Sequence, residues 1–193
     1  MSEYYNQNSK KYFSDTVNAD VSELYSPLLS RIRKSAHILD AGCGSGRDSL
    51  FFINNGYKIT AMDASEEMAK LASEYIEQTV LVMRFQDINW INEFDAIWAC
   101  ATLLHVPIKE IVSVFSKLST ALKPNGIING SFKYGSGERP TNDDRRFLDM
   151  NENDFEVIIK QLSELEIETT WTTNDVRPGR EHEKWFNFIT RKV

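Results

Sequence analysis

The sequence predicts an α/β fold, a mostly parallel sheet with helices on both faces. From residue 37 onward, apolar segments of strand length alternate with segments of helical period. The stretch Ile38–Asp48 reads as a buried strand, a turn with glycines at 42, 44 and 46, and a helix start. Alternate glycines let a ligand lie against bare main chain, and the helix end presents unpaired N–H groups to it. Acidic residues close the first three strands at Asp40, Asp63 and Asp87. Asp63 lies about 20 residues beyond the turn, where a βαβ nucleotide fold places its ribose-binding carboxylate.

The chain's 193 residues suit one domain able to bury most of its apolar surface. Hydrophobic residues at 41% and charged residues at 26% describe an ordinary soluble globule. The net charge of −6 argues against nucleic-acid or anionic-membrane partners. Cys43 and Cys100 read as buried thiols rather than a disulfide. No apolar run reaches the roughly 18 residues of a membrane span, and the polar N-terminus lacks a signal-peptide core, so a cytoplasmic location is expected. The scattered histidines give no metal site.

Residues 1–36 precede the first strand. Tyr4, Tyr5, Tyr12 and Phe13 share a polar segment compatible with a helix. Val21, Leu24, Tyr25, Leu28, Leu29 and Ile32 recur at helical spacing, capped by Asp20 or Ser22, with Pro27 in the first turn or interior. This region is either a packing helix or a lid over the ligand turn. The first strand spans 37–40. The next helix starts near Arg47, buries Leu50, Phe51 and Ile53, and stops at Asn54-Asn55-Gly56. A strand over 58–63 leads to a helix capped by Ser65, with Glu66 and Glu67 in its first turn and Met68, Leu71, Ala72 and Tyr75 inward. The third strand, 80–85, ends at Gln86-Asp87, and the fourth spans 95–101. After Leu103-Leu104-His105-Val106, Pro107 suits the first turn of a helix burying Ile111, Val112, Phe115, Leu118 and Leu122. Lys123-Pro124-Asn125-Gly126 is a turn by composition before the fifth strand, 127–132. Residues 133–150 read as a long polar loop. A helix from Asn153 or Asp154 turns Phe155, Ile158, Ile159 and Leu162 inward. Strands over 167–173 and 184–192, joined through 174–183, end the chain as a hairpin with one antiparallel strand.

Ligands of open α/β sheets bind outside the carboxyl ends of the strands. Asp40 to Arg47, Asp63, Asp87, Cys100 to His105 and Lys133-Tyr134 all fall there. Asp40-Ala41-Gly42-Cys43-Gly44-Ser45-Gly46 satisfies the acidic-x-Gly-x-Gly-x-Gly pattern of class I S-adenosylmethionine (SAM)-dependent methyltransferases. Leu122-Lys123-Pro124-Asn125-Gly126 is similar to that family's leucine-basic-proline-Gly-Gly turn, with Asn for the first Gly. The chain resembles the family over nearly its full length. Residues 94–101, Leu104-His105-Val106-Pro107 and Ser131-Phe132-Lys133-Tyr134-Gly135 look most like small bacterial TehB-like methyltransferases of the tellurite-resistance type, a label that establishes no substrate.

The resemblance implies a Rossmann-like, seven-stranded sheet in the order 3-2-1-4-5-7-6 with strand 7 antiparallel, and a helical cap (1–36) on a core of 37–193. It implies SAM as cofactor and S-adenosylhomocysteine as product. It sets Ala41, Gly42, Cys43, Gly44 and Gly46 along the methionyl part, Asp40 on the ammonium and Asp63 on the ribose hydroxyls. Ala64 and Met68 flank the adenine, Asp87 takes its exocyclic amine and the Ile88 N–H a ring nitrogen. Cys100, Ala101 and Leu104 wall the sulfonium, Arg47 reaches the SAM carboxylate, and Tyr12 covers the cofactor from the cap.

Methyl transfer is an in-line displacement, helped by alignment and by removing a proton from a nucleophile that needs it. His105 is the candidate base, and Lys133 and Tyr134 are candidates to orient the acceptor. Arg139, Arg145, Arg146, Arg177 and Arg180 lie in the two long connections, beside Glu138, Asp143, Asp144, Glu181 and Glu183. Arg146 and Arg177 are the candidates to hold an anionic acceptor, since planar guanidinium suits carboxylates and oxyanions. Ala101-Thr102-Leu103-Leu104 replaces the Asn/Asp-Pro-Pro-aromatic motif of exocyclic-amine nucleic-acid methylases. The expected protein methylates a small molecule and is a monomer or weak homodimer. The alternatives are a non-catalytic SAM sensor and a nicotinamide oxidoreductase, the latter disfavoured by the glycine spacing.

Overall fold

The computed structural model describes residues 2–141, 143, 145–177 and 179–193; Asp144, named above, lies outside them. The elements run α1 (Ser2–Thr16), α2 (Tyr25–Leu29), β1 (His37–Ala41), α3 (Arg47–Asn54), β2 (Lys58–Asp63), α4 (Glu66–Ile76), β3 (Val80–Val82), β4 (Phe94–Ala99), α5 (Ile108–Ala121), β5 (Leu122–Tyr134), β6 (Gly137–Pro140), β7 (Arg146–Met150), α6 (Glu152–Ile159), β8 (Leu165–Asn174) and β9 (Lys184–Lys192). Short 3-10 turns stand at Ser22–Leu24, Phe85–Asp87 and Leu103–His105.

The described strands form one 9-stranded sheet. β3, β2, β1, β4 and β5 are parallel neighbours in that order. β9 runs antiparallel along β5 from Ile127↔Arg191 to Lys133↔Trp185, and β8 pairs antiparallel with the far side of β9. The path β3-β2-β1-β4-β5-β9-β8 is the expected order, with β8 and β9 as its sixth and seventh strands. The two additional strands form a hairpin: β7 pairs with the end of β5 at Lys133 and Tyr134, and β6 pairs with β7. This corrects the polar-loop reading of 133–150. Each strand is too short to show a period, and β7 gains its ladder from β6 on one side and the projecting end of β5 on the other.

Side-chain alternation divides the core between the two faces. Ile97 and Ala99 join Phe115, Phe132, Phe155, Phe186 and Phe188 beneath α5 and α6, while Ala96 and Trp98 pack with Tyr25 and Phe52 beneath α2 and α3. α3 buries Phe52 fully, and Leu50, Phe51 and Ile53 are its half-buried flanks. Tyr25 stacks on Phe51 at 3.8 Å between ring centroids, whereas Leu50 and Ile53 pack towards α4, so the helix has contacts on more than one side. α4 likewise buries Met68, Ala69, Ala72 and Ile76, leaving Leu71 and Tyr75 half-buried. In α5, Val114 takes the inward place expected of Val112, and α6 starts one residue early, capped by Asn151, whose side chain accepts from Asp154 N–H.

Three strand ends differ from expectation. β3 stops at Val82, and the following 3-10 turn folds Phe85 back into the core. β4 stops at Ala99, and Ala101 takes a left-handed backbone at φ 55°. The turn at 123–126 is a bulge inside the β4–β5 ladder, where Phe94 pairs with Leu122 and Ala96 with Ile127. Asn125 sits there at φ 62°, a conformation that asparagine tolerates.

Candidate active site

The site starts from the turn between β1 and α3. Gly42, Gly44 and Gly46 have φ of 83°, 55° and 78°, the left-handed region that favours glycine. The N–H groups of Gly42 and Cys43 donate to Met62 C=O at 2.8 and 2.9 Å, tying the turn to the end of β2. A Cβ at Gly42 would lie 2.0 Å from Thr102 Oγ1, and one at Gly46 would lie 2.8 Å from Ile76 Cγ2. Those two glycines answer to packing. Gly44 opens on the cleft, where a Cβ would meet only the Tyr12 ring, at 3.6 Å.

Asp63 joins the turn to α4. Its carboxylate accepts from Gly44 N–H at 2.9 Å and from Ser65 N–H at 2.8 Å. Burial pushes its pKa up against the pull of these donors. Ser65 caps α4, accepting from Met68 N–H at 3.2 Å, and donates to Asn6 Oδ1 of α1 at 2.7 Å. This bond fastens α1 across the strand ends with Tyr5 and Tyr12 facing the space below.

That space is a cleft of about 1140 Å³. Tyr12, Gly42, Cys43, Gly44, Arg47, Asp63, Ala64, Met68, Cys100, Ala101, Leu104, His105, Lys133 and Arg177 all line it. The other expected residues stand outside. Ala41 and Gly46 are buried in the turn's framework. Asp87 faces solvent in a bidentate pair with Arg84, at 2.9 and 3.0 Å, and Ile88 is buried with its C=O taking Lys117 Nζ. The 3-10 turn that tucks Phe85 inward swings Asp87 out, and Met83, Arg84, Phe85 and Gln86 form that wall instead. Tyr134, 44% exposed, donates to Glu152 at 3.2 Å; strand alternation sends it away as Lys133 turns in. Arg146 lines a neighbouring groove, while Arg145 and Phe147 reach the cleft.

Asp40 lies behind the turn, 2% exposed, and accepts from Ser49 Oγ at 2.6 Å. Burial, reinforced by Asp48, pushes its pKa up to about 8. An acid raised above its unfolded value of about 3.9 keeps its proton in the folded state while the unfolded chain loses it. Stability from this group therefore falls as pH rises from about 4 to 8. Asp40→Asn retains an acceptor for Ser49 and is expected to flatten that decline, raising Tm at pH 8 by at least about 2 °C. A thermal melt series against pH checks this; equal slopes in both proteins would count against it.

Arg47 is held by Asp48 through Nε at 2.7 Å and a terminal nitrogen at 3.0 Å. Asp48 also accepts from Tyr25 O–H at 2.7 Å and Trp98 Nε1–H at 2.8 Å. This network pins the start of α3 to the sheet.

The far half of the cleft is built by the β8–β9 hairpin and the chain entering β7. Lys133 Nζ donates to Asp175 at 2.8 Å, pairs with Glu183 at 2.5 Å and sits 3.9 Å above the Trp185 ring. Arg177 grips Asp175 at 2.9 and 2.6 Å. Burial opposes ionisation of Asp175, but Arg177 and Lys133 hold it well below the usual carboxylate range. His105 Nε2 is 2.9 Å from the Tyr5 hydroxyl, which accepts from Arg145 at 2.8 Å. Burial and the Arg145 guanidinium push His105 down to about 3, so the ring is neutral at neutral pH. Tyr5, Phe147, Asp175 and Trp185 were not singled out from sequence as site residues. Their only local signals are the aromatic cluster of residues 1–20 and the charged composition of the connections.

The glycine turn, the acidic strand ends and the sheet order are those of the Rossmann-like methyltransferase fold. The cleft fits SAM, offering a glycine edge open at Gly44 and a carboxylate at Asp63 beside it. Residues 38–126 match a family described as a methyltransferase domain. Over 111 residues the chain is 32% identical to a ubiquinone biosynthesis O-methyltransferase of Coxiella burnetii, covering 52% of this chain and 47% of that protein. It is 27% identical over 115 residues to TehB of Haemophilus influenzae, named for SAM-dependent methyl transfer, covering 57% of this chain and 38% of that one. The chain thus spans about half the length, or less, of these curated relatives. Among solved structures, a Burkholderia thailandensis 1,6-didemethyltoxoflavin-N1-methyltransferase with bound S-adenosylhomocysteine superposes with a TM-score of 0.76 at 18% identity, covering 99% of this chain and 85% of that one; it shares the fold. No described helix is long and apolar enough to cross a membrane, and no cluster of metal-ligating side chains occurs among the described residues.

Proposed function

We propose that this protein transfers the methyl group of SAM to a small anionic molecule. The observation that carries the reading is the charge of the cleft's far half. Lys133, Arg145, Arg177, Arg180 and Lys184 line it, with Asp175 as the carboxylate among them. Asp143 and Glu183 neutralise part of this charge from behind, and a cationic excess remains to attract an anion.

The proposed roles follow from position. The main chain of Gly42 to Gly46, with Asp63, Ala64 and Met68, holds the cofactor, and Cys100, Ala101 and Leu104 wall its reactive end. Bound there, SAM supplies an electrophilic methyl on a sulfonium sulfur. An acceptor that arrives ionised needs no base, which suits a half in which His105 is a weak base and burial pushes the Cys100 thiol up to about 12. The Coxiella protein acts in ubiquinone biosynthesis as an O-methyltransferase and the Burkholderia protein methylates 1,6-didemethyltoxoflavin, and these small-molecule reactions support the acceptor's size.

Incubation with methyl-labelled SAM and a pool of small metabolites tests this. The expected result is a labelled product retained on an anion exchanger. Cofactor binding without a labelled product would favour the sensor alternative, and a neutral product would remove the anionic acceptor. With the product in hand, Arg177→Ala is expected to raise the acceptor KM about 10-fold, for loss of one charge-assisted contact, and to spare SAM affinity. Arg146→Ala, outside the cleft, is expected to change neither. Steady-state kinetics on both variants decides it, and an unchanged KM in Arg177→Ala would remove that residue from the acceptor site.

A further inference from the structure

Three separate parts of the chain meet at one hydroxyl. α1 carries in Tyr5, the 3-10 turn after β4 presents His105, and the segment entering β7 supplies Arg145. Arg145 is itself fixed, donating through Nε and a terminal nitrogen to Asp143 at 2.9 and 2.7 Å, and its guanidinium lies over Tyr4 and Phe147 at 4.5 and 5.0 Å. Its guanidinium has no lone pair with which to accept, so it donates to Tyr5, and the phenol's own proton must go elsewhere. Among the described residues, the partner within reach is His105 Nε2. Counting donors then assigns the imidazole: Nε2 accepts, and Nδ1 carries the ring proton. The other tautomer would leave the phenolic O–H without a partner as well as Nδ1. Nδ1 is buried and, among the described residues, unpartnered in either case.

We propose that Tyr5 is a positioning residue of the acceptor half, fixing His105 in the neutral Nδ1–H tautomer and making α1 part of the site's wall. This rests on the methyltransferase reading for its purpose, but the tautomer is independent of it. Among the described residues, the groups facing the imidazole are the phenol of Tyr5 on α1, the guanidinium of Arg145 with Asp143 behind it, and the Phe147 ring on β7, whose centroid is 5.3 Å from that of the imidazole. None of them offers a carboxylate to an imidazolium directly. With its basic nitrogen occupied, His105 accepts a hydrogen bond and leaves the acceptor's proton alone.

The test is nitrogen NMR of histidine-labelled full-length protein, with and without saturating S-adenosylhomocysteine, using His105→Gln to assign the signal against His37 and His182. The expected result is a neutral ring between about pH 5 and 8, with Nδ1 protonated and Nε2 bare. Tyr5→Phe, which keeps the aromatic packing, is expected to shift the ring towards the Nε2–H tautomer. Imidazolium titrating in that pH range, an Nε2–H tautomer in the wild type, or no change in Tyr5→Phe would each overturn the proposal. If Tyr5→Phe fails to fold, the wild-type spectrum decides alone. Calorimetry with S-adenosylhomocysteine on the same sample tests the cofactor reading, so a failure of binding is distinguishable from a wrong tautomer.

Discussion

Replacing Gly42 with alanine is expected to destabilise the protein by about 2–5 kcal/mol and to abolish cofactor binding. A left-handed backbone costs a non-glycine residue about 1–2 kcal/mol, and Gly42 sits at φ 83°. The added methyl would stand 2.0 Å from Thr102 Oγ1 and 2.8 Å from Thr102 Cβ, an overlap that costs roughly 1–3 kcal/mol to relieve in a packed interior. The Gly42 N–H also holds the turn to Met62, so relief of the clash moves the wall proposed for the cofactor. A fall in Tm on the order of 10 °C corresponds to this loss. Thr102→Gly in the same chain is expected to recover the steric part and leave the dihedral part, a coupling that a double-mutant cycle reads directly. Gly44→Ala provides the contrast, because its methyl meets only Tyr12 at 3.6 Å and its effect should fall on binding more than on stability. Wild-type melting in Gly42→Ala would refute the packing account.

Replacing Asp63 with alanine is expected to weaken S-adenosylhomocysteine by more than 10-fold, above about 1.4 kcal/mol. The carboxylate serves the backbone N–H groups of Gly44 and Ser65, and hydrogen bonds to a charged group contribute roughly 1.5–3 kcal/mol each. Its loss frees the turn from the start of α4 at the same moment that it removes the proposed ribose partner. Asp63→Asn separates the effects, since the amide keeps one accepting oxygen and cannot serve both N–H groups. Calorimetry should rank wild type above Asn, and Asn above Ala. An unchanged Kd in Asp63→Ala would place the ribose elsewhere.

The parts of this protein legible in its sequence are those with a local cause. The glycine spacing of 42, 44 and 46 can be read because left-handed turns need glycine wherever they occur. Ser65 ahead of Glu66 and Glu67 can be read as a cap because capping is settled within one turn of helix. Strand and helix alternation yields the sheet class for the same reason. The β6–β7 hairpin was not legible, because Arg146–Met150 becomes a strand only between β6 and the end of β5. Asp87 at the end of a strand looked like a ligand carboxylate, but its direction depends on Phe85 being drawn into the core. Tyr134 and Arg146 looked as suitable as their neighbours Lys133 and Arg145, and strand direction separated them.

By itself, then, the sequence determined the class of fold, the glycine turn and the carboxylate that closes β2 at Asp63, since each follows from backbone dihedrals and periodicity within a short window. Tertiary structure alone decided the far half of the cleft. Tyr5 meets His105 across 100 residues, and Lys133 meets Asp175 across 42. Such pairs leave no spacing to read, because burial and hydrogen-bond partners are properties of the folded arrangement.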